Sequence, residues 1–257
     1  MYRFALTLFI VVMVFPMMGC RHQKYESISD IGISSQSPEL TYAEGVKYLQ
    51  KGLFLQSYKK FQEIVHSSPF SKEARKALFM SAFVKYRNGQ YEEAALIGTD
   101  YITKYGGSED IDYMYYLSGI CYFEMIRNVS HSQTPARNMV AYMENLVVNY
   151  PHSSYAKSAQ SYIRIGRNQL AAREMHIGRY YLTQEEYISA ITRFQGVVRH
   201  YSDTEQAEEA LARIIEAYFK VGLIGESREI LSLLQKKYPQ GYWCQYAKKL
   251  IQYYDRS

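Results

Sequence analysis

The side chains able to carry chemistry are few in this chain, and they stand apart. Its six histidines are His22, His66, His131, His152, His176 and His200. None belongs to an HExxH run or is paired with a CxxC, the spacings that bring metal ligands together. No metal site is expected. Glu185–Glu186 and Glu208–Glu209 are adjacent in sequence. Neighbours on a helix are turned about 100° from one another, so neither pair converges for acid/base work. No GxSxG elbow or glycine-rich phosphate loop occurs. The expectation is a chain that is not an enzyme and holds no cofactor. Cys121 and Cys244 are expected as buried free thiols, with a disulfide as the alternative in an oxidising compartment.

The remaining cysteine is a different case. Arg3 opens a leader whose apolar run, Phe4 to Phe15, is about one secretory h-region long and too short to span a bilayer comfortably. Met17-Met18-Gly19-Cys20 follows, an ending that resembles a bacterial lipobox with Met17 where Leu is usual. The resemblance implies a signal peptide over 1–19 and a Cys20 carrying a diacylglyceryl thioether and an N-acyl chain. That is enough acyl chain for stable anchoring. Arg21 rather than Asp follows, which implies the periplasmic face of the outer membrane in a Gram-negative bacterium. An ordinary cleaved signal peptide with a chance cysteine is the alternative. Residues 20–38, rich in Ser, Ile and Gln, read as a flexible tether.

With no catalytic set to position, what the elements must build is a surface. Tyr42 to Pro69 is their repeating unit. Gly45 and Tyr48 sit in a first helical pattern, Gly52 marks a turn, Ser57 and Phe61 sit in a second, and Pro69 stops it. Small residues let two antiparallel helices approach, and bulky rings fill the gap between them. That is the framework of a 34-residue tetratricopeptide hairpin. The same register returns after Gly89, after the stretched turn Arg127–Pro135, at Gly178 with Tyr181, and at Gly222. The expected fold is therefore all-α: five tetratricopeptide hairpins over 39–257, at about 39–72, 74–107, 110–153, 154–204 and 207–241. They stack as an α-solenoid with a C-terminal capping helix over Tyr242–Tyr254. One long helix, Ser154 to about Leu182, should supply the first arm of repeat four.

Several strings are more specific than generic repeat positions. They are Ser68-Pro69-Phe70-Ser71 with Ala74, Asp112-Tyr113-Met114-Tyr115-Tyr116-Leu117-Ser118-Gly119, and Tyr150-Pro151-His152-Ser153 with Tyr155-Ala156. Leu170-Ala171 through Glu174, Tyr180-Tyr181, Tyr187, Ala190, Arg193, Tyr201 and Asp203-Thr204 make a fourth. Together, from Cys20 onward, they resemble the BamD family of outer-membrane protein assembly factors. Ser68 and Ser202 depart from that pattern, and Ser130-His131-Ser132-Gln133 replaces a charged DRDQ element. The resemblance implies a non-enzymatic scaffold that binds the periplasmic domains of BamA, other assembly-machinery lipoproteins and unfolded outer-membrane β-barrel precursors. The N-terminal repeats resemble the part that meets substrate, the C-terminal repeats the part that meets BamA. A tetratricopeptide lipoprotein that organises cell-wall enzymes is the alternative function.

Two surfaces are expected to do the binding. Tyr42, Phe79, Phe83, Tyr86, Tyr113, Tyr116 and Phe123 form an aromatic stripe along the first helices of repeats one to three. Either they are inter-helix core or they line a groove for an extended segment that carries aromatics. Between Tyr155 and His200, seven Lys and Arg face three Glu. Either that is a solvated helix face or, through Arg179, Arg193 and Arg199, a docking surface for an acidic partner domain. The net charge of +5 over 257 residues is mild and no like-charge block appears, so nucleic acid is not expected as a partner.

Overall fold

Ser37 starts the fold: its hydroxyl accepts the Leu40 N–H at 3.4 Å and Pro38 takes the first helical position, where its missing N–H costs nothing. The computed structural model describes residues 37–254. The leader, Cys20 and the tether up to residue 36 lie outside the described residues. Helix begins at Pro38, one residue inside the stretch read as tether.

Among the described residues there are eleven helices and no strand. They are α1 (Pro38–Gln50), α2 (Phe54–Ser67), α3 (Lys72–Arg87), α4 (Tyr91–Lys104), α5 (Ile111–Glu124) and α6 (Thr134–Asn149). Then come α7 (Ala156–Thr183), α8 (Tyr187–His200), α9 (Gln206–Lys220), α10 (Ile224–Lys237) and α11 (Tyr242–Tyr254). Successive pairs form five antiparallel hairpins, and α11 closes the stack against α9 and α10. First helices of neighbouring hairpins also touch, α1 with α3, α3 with α5 and α7 with α9. The first helices therefore line the inner side of the stack.

The small-residue slots work as close approaches. A Cβ on Gly45 would stand 2.8 Å from Phe61, one on Gly119 2.6 Å from Met143, and one on Gly178 2.5 Å from Phe194. Phe61, Met143 and Phe194 are fully buried. Within the first hairpin the Ser57 hydroxyl also donates to the Gly45 carbonyl at 2.8 Å, so the small polar residue is satisfied where it is buried.

Four of the five turns within the hairpins share one left-handed position. Gly52, Gly89 and Gly222 adopt φ of 72°, 73° and 81° between the arms of repeats one, two and five. In repeat four that left-handed position is held by Glu185 at φ 61°, a side chain where glycine is the unstrained choice.

Helix α7 serves two repeats. Its N-terminal half packs on α6, where a Cβ on Gly166 would meet Met139 and Val140 at 2.5 Å, and its C-terminal half pairs with α8 through Gly178. The stretched turn before α6 is shorter than its polar sequence suggests, because Thr134 and Pro135 already belong to the helix. Gln133 donates to the His131 carbonyl at 2.9 Å, and α7 pins the turn from outside. Arg173 donates to the Val129 carbonyl at 2.9 Å and Gln169 to the Arg127 carbonyl at 3.0 Å.

Candidate functional site

The aromatic stripe separates into packing rings and a ring-lined cleft. Tyr42 tilts against buried Phe61 at 5.3 Å, inside the first hairpin, and Tyr86 against Tyr91 at 5.9 Å. Phe79 stacks on Tyr113 at 5.3 Å, and Tyr113 meets Tyr155 at 5.3 Å. Tyr155 stacks on Tyr116 at 5.0 Å, Tyr116 meets Tyr162 at 6.2 Å, and Tyr162 meets Phe123 edge-on at 5.0 Å. This ladder runs from α3 across α5 to α7. All seven stripe residues are half-buried rather than buried, with one side of each ring packed and part of it wet.

The ladder opens into a cleft of about 440 Å³ lined by Phe79, Met80, Phe83, Tyr113 and Tyr155, with Asp110 and Asp112 at its edge. Of the expected stripe, Phe79, Phe83 and Tyr113 line it; Tyr42, Tyr86, Tyr116 and Phe123 do not. Tyr155 and Tyr162 were absent from the expected set. They lie seven apart, Tyr155 at the N-cap of α7 and Tyr162 inside it, and that spacing is the signal that marks them. Burial, with neighbouring Tyr155 adding to it, pushes the Tyr113 hydroxyl up to about 12.

A polar clamp stands at the edge of the cleft, around Asp110. Arg75 on α3 donates to both Asp110 oxygens at 2.7 and 2.8 Å and to the Tyr101 hydroxyl at 2.8 Å. Tyr101, itself fully buried, also donates to Asp110. Burial alone would raise the Asp110 carboxyl; the Tyr101 and Ser108 hydroxyls and the Arg75 charge together hold it below the usual carboxylate value. The clamp ties α3, α4 and the start of α5, which fixes how repeats two and three present their rings.

In the C-terminal half, most of the basic excess is spent within the chain. Arg167 grips Asp203 with Nε and Nη2 at 2.9 and 2.7 Å and reaches the His200 carbonyl at 2.8 Å. Arg179 pairs with Glu209 at 3.0 Å, Arg193 with Glu174 at 3.2 Å, and Arg173 holds the α5–α6 turn. Arg179 and Arg193 each remain 42% exposed beyond those partners. Arg199 is exposed, beside a shallow cleft formed with Gln195, Val198, Leu211, Ile214, Ile230 and Leu233. So the excess is neither an idle solvated face nor three free cations. Four of the seven basic residues, Arg167, Arg173, Arg179 and Arg193, are inter-element ties, while Lys157, Arg164 and Arg199 are exposed. Arg213 makes a further tie, bonded to Glu209 and Glu216 and lying 4.8 Å from the Trp243 ring of the capping helix.

Cys121 and Cys244 are both buried and free. No group of three or more His, Cys, Asp or Glu among the described residues is arranged to hold a metal ion.

Comparison with known families decides the class. The family model YfiO, described as outer membrane lipoprotein, matches residues 34–233. The chain belongs to this family. Its relatives include the outer membrane protein assembly factor BamD of Caulobacter vibrioides, 33% identical over 83% of this chain and 70% of that protein. The BamD of Rickettsia prowazekii is 32% identical over 83% of this chain and 85% of its own. Among solved structures, a thermophilic TPR protein of Thermus thermophilus aligns at a TM-score of 0.37 and 12% identity, over 84% of this chain and 99% of that one. No helix among the described residues is long and apolar enough to cross a membrane.

Proposed function

We propose that this chain is a non-enzymatic scaffold of outer-membrane β-barrel protein assembly. It is anchored to the periplasmic face of the outer membrane by acyl chains on Cys20. Membership of a family whose relatives are named outer membrane protein assembly factors supports the role in assembly.

The observation that carries the molecular reading is the half-buried ladder Phe79–Tyr113–Tyr155–Tyr116 and the open cleft beside it. Rings that are packed on one side and wet on the other offer stacking area without further ordering cost. Unfolded barrel strands carry aromatics at alternate positions, on one face of an extended chain, and such a segment fits a ring-lined groove. In this reading the N-terminal groove receives β-barrel precursors. The C-terminal half, through Arg179, Arg193 and outward Arg199, holds the periplasmic domains of BamA, and other assembly-machinery lipoproteins dock on the same scaffold.

Photo-crosslinkers placed at Phe83 and at Arg199 test the division. The Phe83 probe should capture an unfolded barrel precursor and the Arg199 probe purified BamA periplasmic domains. Exchange of the two products would reverse the assignment of the two ends.

A further inference from the structure

The edge of the aromatic cleft holds two carboxylates in unlike situations. Asp110 is matched by the Arg75 guanidinium. Asp112 is matched by no cation among the described residues. One of its oxygens accepts the Tyr113 N–H at 2.7 Å and the other the Ser153 hydroxyl at 2.6 Å. Both donors are neutral. They orient the carboxylate, which besides them meets only the partial positive charge of the α5 N-terminus and no cationic side chain among the described residues, and Ser153 holds it from the loop that leads into α7. Beside it stand the Tyr113 and Tyr155 rings, 5.3 Å apart, with Phe79 stacked on Tyr113 and Phe83 also lining the cleft. Aromatic faces attract cations, most strongly where water is thinned out. Phe83 already shows that preference, since the Arg87 guanidinium lies 5.8 Å from its ring centroid.

An oriented, unmatched carboxylate among ring faces is the arrangement that receives a cationic side chain. We propose that Asp112 reads charge in the bound segment: the cleft prefers an extended peptide in which a Lys or Arg stands two residues from an aromatic. In an extended chain those two side chains share one face, so the ring enters the cleft while the cation settles against Asp112 at the rim of the Tyr113 and Tyr155 rings. This rests on the groove reading above and adds to it a rule of selection. Aromatic segments flanked by Asp or Glu are refused, because a second carboxylate would face Asp112.

The test uses the full chain and blocked hexapeptides with aromatics at their second and fourth positions. Only the sixth position, on the same face, varies: Lys, Arg, norleucine or Glu. Fluorescence anisotropy should rank Lys and Arg about fivefold tighter than norleucine, with Glu weakest. Asp112→Asn keeps an amide oxygen to accept the Tyr113 N–H and an NH2 that can donate to the Ser153 hydroxyl, so the side chain stays in place and the ratio of Lys to norleucine binding should fall to about one. Raising salt to about 0.5 M should shrink the wild-type preference in the same way. Equal binding of all four peptides to wild-type protein, with Phe83→Ala still weakening them all, overturns the selection rule and leaves the groove standing. Peptides that bind nowhere, or bind Phe83→Ala unchanged, take down the groove and the rule together.

Discussion

The ring of Phe194 occupies the space that a side chain on Gly178 would need: a Cβ there would lie 2.5 Å from Phe194 Cε1. Phe194 is fully buried among Ala171, Met175, Ala190, Val197, Ala210 and Ile214, so it has nowhere to retreat. Gly178→Ala should therefore destabilise the protein by about 1–3 kcal/mol, although alanine is the better helix former. Gly196, inside α8, has nothing within 4 Å of its added Cβ. Gly196→Ala should stabilise by about 0.5–1 kcal/mol. Thermal unfolding of the pair checks both signs, and two shifts in one direction would refute the close-approach argument.

Glu185 offers the converse test. It holds φ 61° where three sister turns place glycine. Glu185→Gly should remove the strain of a Cβ in the left-handed region, for a gain of about 1 kcal/mol after the extra unfolded-state freedom of glycine. At this size that is about 2–4 °C in the midpoint. Urea titration should show the gain as a raised midpoint with an unchanged slope.

Arg193 is paired at home with Glu174, and both side chains are about a third exposed or more. Breaking that pair alone should cost under about 1 kcal/mol of stability. Arg193→Glu should weaken binding of BamA periplasmic domains by about 2–5 kcal/mol where the contact is desolvated. The swap Arg193→Glu with Glu174→Arg separates the two effects. Stability should return and binding should not. Recovery of both would make Arg193 a structural tie only.

Alkaline stability follows from two acids, buried Cys121 and half-buried Tyr113. Burial pushes the Cys121 thiol up to about 12 from 9.0, and Tyr113 up to about 12 from 10.0. Below about pH 9 both the folded and the unfolded chain keep these protons. Above it the unfolded chain releases them first while the folded chain still binds them, so stability falls with rising pH until about pH 12. Asp110 acts at the other end. Its lowered carboxyl contributes stability above its unfolded value of 3.8, lost as pH falls through the folded value. Denaturation midpoints from about pH 3 to 11 should show both limbs, and Cys121→Ala should flatten part of the alkaline one. Cys121 in native protein should also resist iodoacetamide at about pH 8, since its sulfur is buried and protonated.

The repeat framework was legible in the residues because it is local. Small residues and aromatics at helical spacing are set within one hairpin, so the sequence marks Gly45, Ser57 and Phe61, and Gly178 with Tyr181, as packing positions. The length of α7 was legible for the same reason: no proline interrupts it. The cleft was legible only in part. Phe79, Phe83 and Tyr113 carry the helical period of the inner face, but periodicity does not say whether an inner-face ring is packed shut or left half wet. Tyr42 and Tyr113 are both half-buried, yet Tyr42 packs on Phe61 within its own hairpin while Tyr113 lines the cleft between repeats two and three. The basic half shows the same limit. Composition counts charges and not partners, and the partners of Arg167, Arg179 and Arg193 lie 36, 30 and 19 residues away. Contacts at that separation depend on how one hairpin lands on the next, which only the stacked structure decides.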